Sequence, residues 1–101
     1  MLERPYLICL CHELQVLGLS HVSEKILPVE YDGLTIELGY RIDLLVEDKV
    51  IVEIKSLGTV LPIHEAQLLT YLRLARKRVG LLINFNVEQL KDGIRRKVNG
   101  Y

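Results

Sequence analysis

The stretch that decides the fold is YRIDLLVEDKVIVEIK, residues 40–55, in which a short polar break separates two apolar runs. Runs of this length, rich in Val, Ile and Leu and split by the polar residues 47–49, are typical of a β-hairpin. Charged side chains also lie inside the runs, where charge is costly in a strand that is mostly core. They are Asp43, Glu53 and Lys55. We therefore expect a hairpin whose charges serve a purpose other than stability.

The register of this hairpin predicts two carboxylates that face each other. If Val46 pairs with Val50 across a three-residue turn, Asp43 lies opposite Glu53 on one face, with Cβ atoms roughly 4.5–5.5 Å apart. Like charges in such a pair are destabilising unless a proton or a cation lies between them. Lys55 follows on the same face. A two-residue turn would mix polar and apolar faces. The alternative interpretation is a solvated polar face on an edge hairpin.

A second hairpin precedes the first one. Residues 23–31 and 34–46 are strand-like runs joined by Asp-Gly at residues 32–33, which is a strong hairpin signal. Because proline cannot donate to a β-ladder, Pro28 predicts that the first of these strands is an edge strand or that it starts late. Gly39 indicates a bend in the second strand.

Three further segments have apolar residues at helical spacing. They cover about residues 5–17, about residues 62–77, and a last segment with an apolar stripe of its own. That stripe consists of Val87, Leu90, Ile94 and Val98. The pattern predicts three helices, the last with basic residues largely off its stripe.

Residues 79–85 form a continuous apolar strand, and the chain reaches it from residues 50–55 through the second helix. Such a strand–helix–strand unit makes the two strands parallel. The predicted fold class is therefore α/β (α+β): a mixed sheet of about four strands, an antiparallel meander plus one crossover strand, flanked by helices. At 101 residues the chain is expected to form a single domain, residues 1–101.

Charge is distributed unevenly along the chain although the formal net charge is zero. Between residues 73 and 97 there are eight Lys or Arg residues against two Asp or Glu residues. This basic third suits attraction to a nucleic-acid backbone, or it is simply a solvated helical surface. No apolar run reaches the length of a membrane span and no cleavable leader opens the chain, so a cytoplasmic location is expected.

The facing carboxylates suit a divalent metal ion. Asp43, Glu53 and the backbone carbonyl of Ile54 are hard oxygen ligands of the kind that Mg²⁺ or Mn²⁺ prefers. A bound ion of this kind polarises a phosphate and lowers the pKa of a bound water. Lys55 is placed to orient or deprotonate that water. This combination points to metal-dependent hydrolysis of phosphodiester bonds.

The second helix carries polar residues on one stripe beside its apolar stripe. Gln67 and Tyr71 lie on this stripe, where they could contact phosphate or hold Lys55. The alternative is that both residues only cover the rim of the core. As a bare pattern, Asp-x9-Glu-x-Lys is weak, and its strength here lies in the order of strand hairpin, helix and apolar strand.

That order, with Asp43…Glu53-Ile54-Lys55, resembles the PD-(D/E)XK nuclease superfamily, also called restriction-endonuclease-like. The segment QLLTY at residues 67–71 is similar to the Gln-xxx-Tyr motif of its RecB-like exonuclease branch. Three longer blocks resemble the GxxExxY family of small bacterial proteins. The blocks are YRIDLLV at 40–46, HEAQLLTYL at 64–72 and GLLINFN at 80–86.

The resemblance implies a nuclease-like αβ core in which Asp43, Glu53 and Lys55 are the catalytic set and Mg²⁺ or Mn²⁺ is the cofactor. It also implies that Glu3 matches the carboxylate that some branches supply to the metal from the first core helix. Glu3 and Tyr6 match the Glu and Tyr of the GxxExxY motif, whose Gly would fall before the first residue. Relatives in this family usually carry another helix before the motif. An apolar surface left bare by its absence would favour a homodimer or poor solubility.

Two functions stay open at this point. The first is a Mg²⁺-dependent nuclease that acts on DNA rather than RNA, and the second is a catalytically inactive module that binds nucleic acid or protein with the same fold. The missing leading helix favours the second function. The first is favoured by the presence of all the candidate catalytic residues, which are Asp43, Glu53, Lys55, Gln67 and Tyr71. For either function, the residues expected to contact the nucleic-acid backbone are Arg73, Arg76, Lys77, Lys91, Arg95 and Arg96.

Overall fold

The computed structural model describes residues 3–100, except for the side chains at positions 37 and 38. The elements in chain order are α1 (Glu3–Val16), β1 (His21–Tyr31), β2 (Leu34–Val46), β3 (Val50–Lys55), α2 (Pro62–Ala75), β4 (Val79–Asn84), a 3₁₀ turn (Leu90–Gly93) and β5 (Ile94–Val98). They form one sheet with the strand order β1-β2-β3-β4-β5. The predicted class, a mixed sheet flanked by helices, is confirmed, with a fifth strand in addition to the expected four.

The sheet is antiparallel from β1 to β3 and parallel between β3 and β4, as the crossover through α2 requires. Two apolar clusters cover its two faces. Leu68 and Leu72 of α2 pack with Ile51 on one face. Leu7 and Leu14 of α1 belong to the cluster on the other face. Neighbouring residues of β3 thus point to opposite helices, which explains why this strand is apolar on both sides.

The hairpin of β1 and β2 closes with Asp32 at φ 50° and Gly33 at φ 79°. Positive φ at both positions is the geometry of a type I′ turn, which the Asp-Gly pair favours. Pro28 lies on the edge strand, where the register shifts between Leu27 and Val29. Gly39 lies against this irregularity, and a Cβ atom there would come within 2.6 Å of the Leu27 carbonyl oxygen. Glycine is therefore needed for this close approach of two strands.

The prediction of a final helix over Val87–Val98 is wrong. The chain forms a 3₁₀ turn and then β5, which pairs antiparallel with β4. The prediction relied on the helical spacing of four apolar residues, which is a local signal. Two of these residues, Ile94 and Val98, are exposed in the fold and therefore do not form the buried stripe of a helix. The open edge of β4 decides the outcome, because its backbone groups need hydrogen-bond partners. None of the helices within residues 3–100 is long and apolar enough to cross a membrane.

Candidate functional site

The hairpin of β2 and β3 has the predicted register. Val46 pairs with Val50 and Leu44 pairs with Val52 across the three-residue turn. One step further along both strands, Asp43 lies opposite Glu53. The predicted register is therefore confirmed, and it follows from the length of the turn. The prediction that both carboxylates share one face is wrong, because Asp43 lines a cavity with Glu3 and Leu7 of α1 and Glu53 does not.

The two strands separate at this point. The paired ladder ends at Leu44 and Val52. Beyond it, the backbone N–H of Asp43 donates to Glu53 Oε1 at 3.2 Å, and the N–H of Ile54 donates to Asp43 Oδ2 at 2.8 Å. Each carboxylate thus accepts a hydrogen bond from the opposite strand, where a ladder carbonyl would otherwise accept it. These contacts hold both carboxylates at the mouth of the gap between β2 and β3.

The alternation of side chains along β2 also changes at Asp43. Ile42 packs in the cluster under α2, whereas Leu44 packs in the cluster under α1, although residues two apart on a regular strand share a face. On the neighbouring strand β1, Glu24 lies opposite Asp43 and has φ 54°. A non-glycine residue in this left-handed region is uncommon and is concentrated at functional sites. The irregularity therefore marks the same place as the paired carboxylates.

Glu53 is buried, with 6% of its surface exposed. Burial, followed by the negative charge of Asp43, raises the pKa of Glu53 from 4.5 to about 8, although the positive charge of Lys55 acts in the opposite direction. At neutral pH and without a cation, Glu53 therefore retains a proton. This is the relief of carboxylate repulsion that the register predicted.

A cavity of about 320 Å³ opens beside Asp43. It brings together three of the predicted metal ligands, namely Glu3, Asp43 and Ile54. Glu3 begins α1, and its Oε2 atom accepts a hydrogen bond of 3.2 Å from the backbone N–H of Ser56. The contact fastens Glu3 to the segment that follows β3. Glu53 does not line this cavity and approaches Asp43 from the side of α2.

The polar stripe of α2 lies next to the carboxylates on that side. Tyr71 is buried and its ring lies 5.4 Å from the ring of Tyr40, while Gln67 is exposed and forms a hydrogen bond with Tyr71. Burial and then the charges of Glu53 and Asp43 raise the pKa of Tyr71. The neutral phenol is thus a stable neighbour of the acidic pair, and Gln67 holds it in place.

Within residues 3–100, no three His, Cys, Asp or Glu side chains converge closely enough to form a complete metal cage. A Mg²⁺ ion nevertheless requires only one or two protein carboxylates and fills its other positions with waters and phosphate oxygens. Asp43 and Glu53 meet this requirement, since a cation would take the place of the proton that Glu53 now retains. The donor set therefore fits a divalent ion with an open coordination sphere.

Two of the basic residues predicted to contact nucleic acid pair with carboxylates of the same chain. Lys77 pairs with Asp48 at 3.0 Å in the turn before β3, and the start of β3 lies about 10 Å along the strand from Glu53. Arg95 of β5 pairs with Glu65 of α2 at 2.7 Å. The other predicted residues are exposed, and they are Arg73, Arg76, Lys91 and Arg96. Their contact with nucleic acid stays a prediction.

Sequence reasoning missed several residues at the site. Arg4, Glu24 and Arg41 line the cavity beside Asp43. An unbroken register counted back from the Asp-Gly turn does not place Glu24 opposite Asp43, because the shift near Pro28 moves the pairing by two residues. The combination of Pro28 and Gly39 in the sequence signals this irregularity but not the size of the shift.

Asn84 is a further residue that sequence reasoning missed. It is buried at the end of β4, and its amide forms two hydrogen bonds of 2.9 Å with the backbone N–H and carbonyl of Leu57. Asn84 thus fastens the segment that follows Lys55. A single polar residue at the end of an apolar strand was its only sequence signal.

Comparison with known proteins identifies a family and a solved structure with a similar fold. A family model described as the PD-(D/E)XK nuclease superfamily matches residues 1–97. A solved structure described as "Crystal structure of SSO0001" superposes with a TM-score of 0.71 at 20% sequence identity, which shows a similar fold. The match covers 99% of this chain and 52% of that chain, so this chain spans about half the length of that protein. A search of curated proteins found no match.

Proposed function

Because this chain belongs to the PD-(D/E)XK nuclease superfamily, we propose that it is a metal-dependent nuclease that hydrolyses phosphodiester bonds in DNA. The observation that carries the proposal is the pair of carboxylates at the point where β2 and β3 separate. Asp43 and Glu53 are held there by backbone hydrogen bonds, and Glu53 retains a proton where a cation would otherwise compensate the charge. Stability alone does not require this arrangement, which favours a binding role.

Nucleases of this superfamily use divalent metal ions, and we propose Mg²⁺ or Mn²⁺ for this chain. Asp43, Glu53 and the backbone carbonyl of Ile54 would hold the ion, and Glu3 is the fourth candidate because it shares the cavity with Asp43 and Ile54. A bound ion would polarise the scissile phosphate and make a bound water more acidic.

Lys55 is proposed to orient the attacking water and to offset charge that develops on the phosphate. It follows Glu53 by two residues on β3, and its backbone carbonyl accepts a hydrogen bond of 2.9 Å from the N–H of Phe85. Tyr71 and Gln67 are proposed to hold the phosphate side of the site from α2. Phe85 also stacks on Tyr6 of α1, with ring centroids 4.3 Å apart, so α1 is fixed to the residue that follows β4 and pairs with Lys55.

We also propose membership of the GxxExxY family within this superfamily. The support is the match of Glu3 and Tyr6 to the motif, together with the three blocks in residues 40–86. Both motif residues have contacts that tie α1 to the site, Glu3 with Ser56 and Tyr6 with Phe85. The homodimer suggested by this resemblance stays a prediction.

A cleavage assay on linear, circular and single-stranded DNA with Mg²⁺ or Mn²⁺ tests the nuclease proposal. Lys55→Ala should lower the rate by about 10²–10⁴, the usual contribution of a proton-transferring group, and Asp43→Ala should lower it at least as much. Asp92→Ala and Lys49→Ala remove the same charges from exposed positions outside the site and serve as controls. No cleavage by the natural chain, or equal cleavage by the Asp43 and Lys55 variants, would refute the proposal and favour a non-catalytic binding module.

A further inference from the structure

Two arginines converge on one carboxylate at the wall of the cavity that contains Asp43. Arg4 of α1 approaches Glu24 Oε1 at 3.0 Å, and Arg41 of β2 approaches Glu24 Oε2 at 3.4 Å. All three side chains line the cavity with Asp43. Each oxygen of a single anion is thus matched by a guanidinium group from a different element.

We propose that Arg4 and Arg41 form a phosphate-binding pair that holds the nucleic-acid backbone beside Asp43, and that Glu24 occupies the place of the phosphate when no nucleic acid is bound. The inference rests on the proposed function in one respect, since the phosphate is taken to belong to a nucleic acid. It adds a substrate-binding subsite formed by residues outside the basic C-terminal third.

The exposure of the three side chains supports displacement of Glu24. The side chains of Arg4 and Arg41 are 69% and 64% exposed, whereas that of Glu24 is 32% exposed. Ion pairs at such exposed positions contribute little to stability, so a phosphate can replace the carboxylate without loss to the fold. Guanidinium groups favour phosphate because their planar donors match its oxygens.

The backbone at Glu24 supports the same conclusion. Its φ of 54° is an unfavourable conformation in the interior of an edge strand. In this conformation the Glu24 carboxylate lies between Arg4 and Arg41. Glu24 also lies opposite Asp43 in the pairing of β1 with β2. The strained residue, both arginines and the candidate metal ligand thus meet at one place. Glu24 is a positioning residue in this arrangement, and the arginines are the binding groups.

Another carboxylate, that of Glu65, is also contacted by two basic side chains, but it does not line the cavity that contains Asp43. Arg95 and Lys97 of the edge strand β5 contact the two oxygens of Glu65 of α2, at 2.7 Å and 2.5 Å. Lys77 and Asp48 lie at the opposite end of β3. None of these residues lines the cavity of about 320 Å³ that contains Asp43. The position of Arg4 and Arg41 next to the carboxylates is therefore what distinguishes them from the basic C-terminal third.

The test measures binding of a fluorescently labelled DNA duplex, and of the matching single strand, by anisotropy over a range of salt concentrations in EDTA. Arg4→Ala and Arg41→Ala should each weaken binding and reduce the slope of log K against log salt by about 0.9 for the duplex and about 0.7 for the single strand. Lys49→Ala, which removes one exposed positive charge at the far end of β3, should leave the slope nearly unchanged. Slopes of both arginine variants equal to that of the natural chain would overturn the proposal.

A thermodynamic cycle tests the part assigned to Glu24. Glu24→Gln should tighten DNA binding in the natural chain, because it weakens the competition for the arginines, but not in the Arg4→Ala/Arg41→Ala background. Equal tightening in both backgrounds, or none in either, would show that Glu24 does not occupy a phosphate subsite. Binding is measured in EDTA, where no cleavage occurs, and cleavage is measured separately with Mg²⁺ or Mn²⁺. If DNA binding depends on both arginines but no DNA is cleaved, only the proposed function is refuted. If DNA is cleaved but the salt slopes of the arginine variants are unchanged, only this inference is refuted.

Discussion

Replacement of Glu53 by glutamine should stabilise the protein at alkaline pH in the absence of metal. In the folded chain burial and the charge of Asp43 raise the pKa of Glu53 to about 8, compared with 4.5 for an ordinary glutamate. Between these values the folded state binds a proton that the unfolded state has released, so the free energy of unfolding falls as pH rises. Glu53→Gln removes this titration, while its side-chain oxygen can still accept the hydrogen bond from the Asp43 N–H.

The magnitude follows from the difference between the two pKa values. Each unit corresponds to about 1.4 kcal/mol, so ionisation of Glu53 costs the fold up to about 5 kcal/mol above pH 8. Near pH 4.5 most of this cost is absent, because the carboxyl is largely neutral in both states. The stability advantage of Glu53→Gln should therefore be small at low pH, grow through the window from 4.5 to 8 and level off above it.

Urea denaturation in EDTA at about pH 5 and about pH 9 measures this difference, with Glu88→Gln as the control for loss of one exposed carboxylate. A second arm adds Mn²⁺ at about pH 9. An ion at about 100 times its dissociation constant stabilises the folded state by about 2.7 kcal/mol, and Glu53→Gln should lose most of that gain. If the natural chain and Glu53→Gln have equal stability at both pH values, the buried, proton-retaining carboxyl is refuted.

Two further predictions concern the framework around the site. Gly39→Ala should destabilise the fold by about 1–3 kcal/mol, since the added Cβ would meet the Leu27 carbonyl oxygen at 2.6 Å. Gly58→Ala, where the added Cβ meets open space, is the near-neutral control in the same denaturation assay. Equal effects of the two substitutions would contradict the role given to the β1–β2 irregularity. Asn84→Ala should cost about 1–3 kcal/mol, because it removes the partners of the backbone N–H and carbonyl of Leu57; unchanged stability in thermal unfolding would show that this clamp is dispensable.

The sequence by itself determined the central hairpin and its register. The side-chain period of a strand is two residues, so a three-residue turn was enough to place Asp43 opposite Glu53 before any long-range contact was known. The same local rules predicted the Asp-Gly turn, the parallel crossover into β4 and the helix that carries Gln67 and Tyr71. In all of these cases neighbouring residues along the chain contain the information, because short turns and regular periods leave few alternatives.

Only the tertiary structure decided where distant segments meet. The segment after β4 has helical spacing, yet it forms β5 because the open edge of β4 requires hydrogen-bond partners. Glu24 reaches Asp43 through a register shift at Pro28 whose size no local pattern specifies. Glu3 joins the site because α1 packs across β3 and places its first turn beside Ser56. Burial and backbone pairing over long sequence separations determine these contacts, and they assemble the cavity in which Arg4 and Arg41 surround a carboxylate beside the acidic pair.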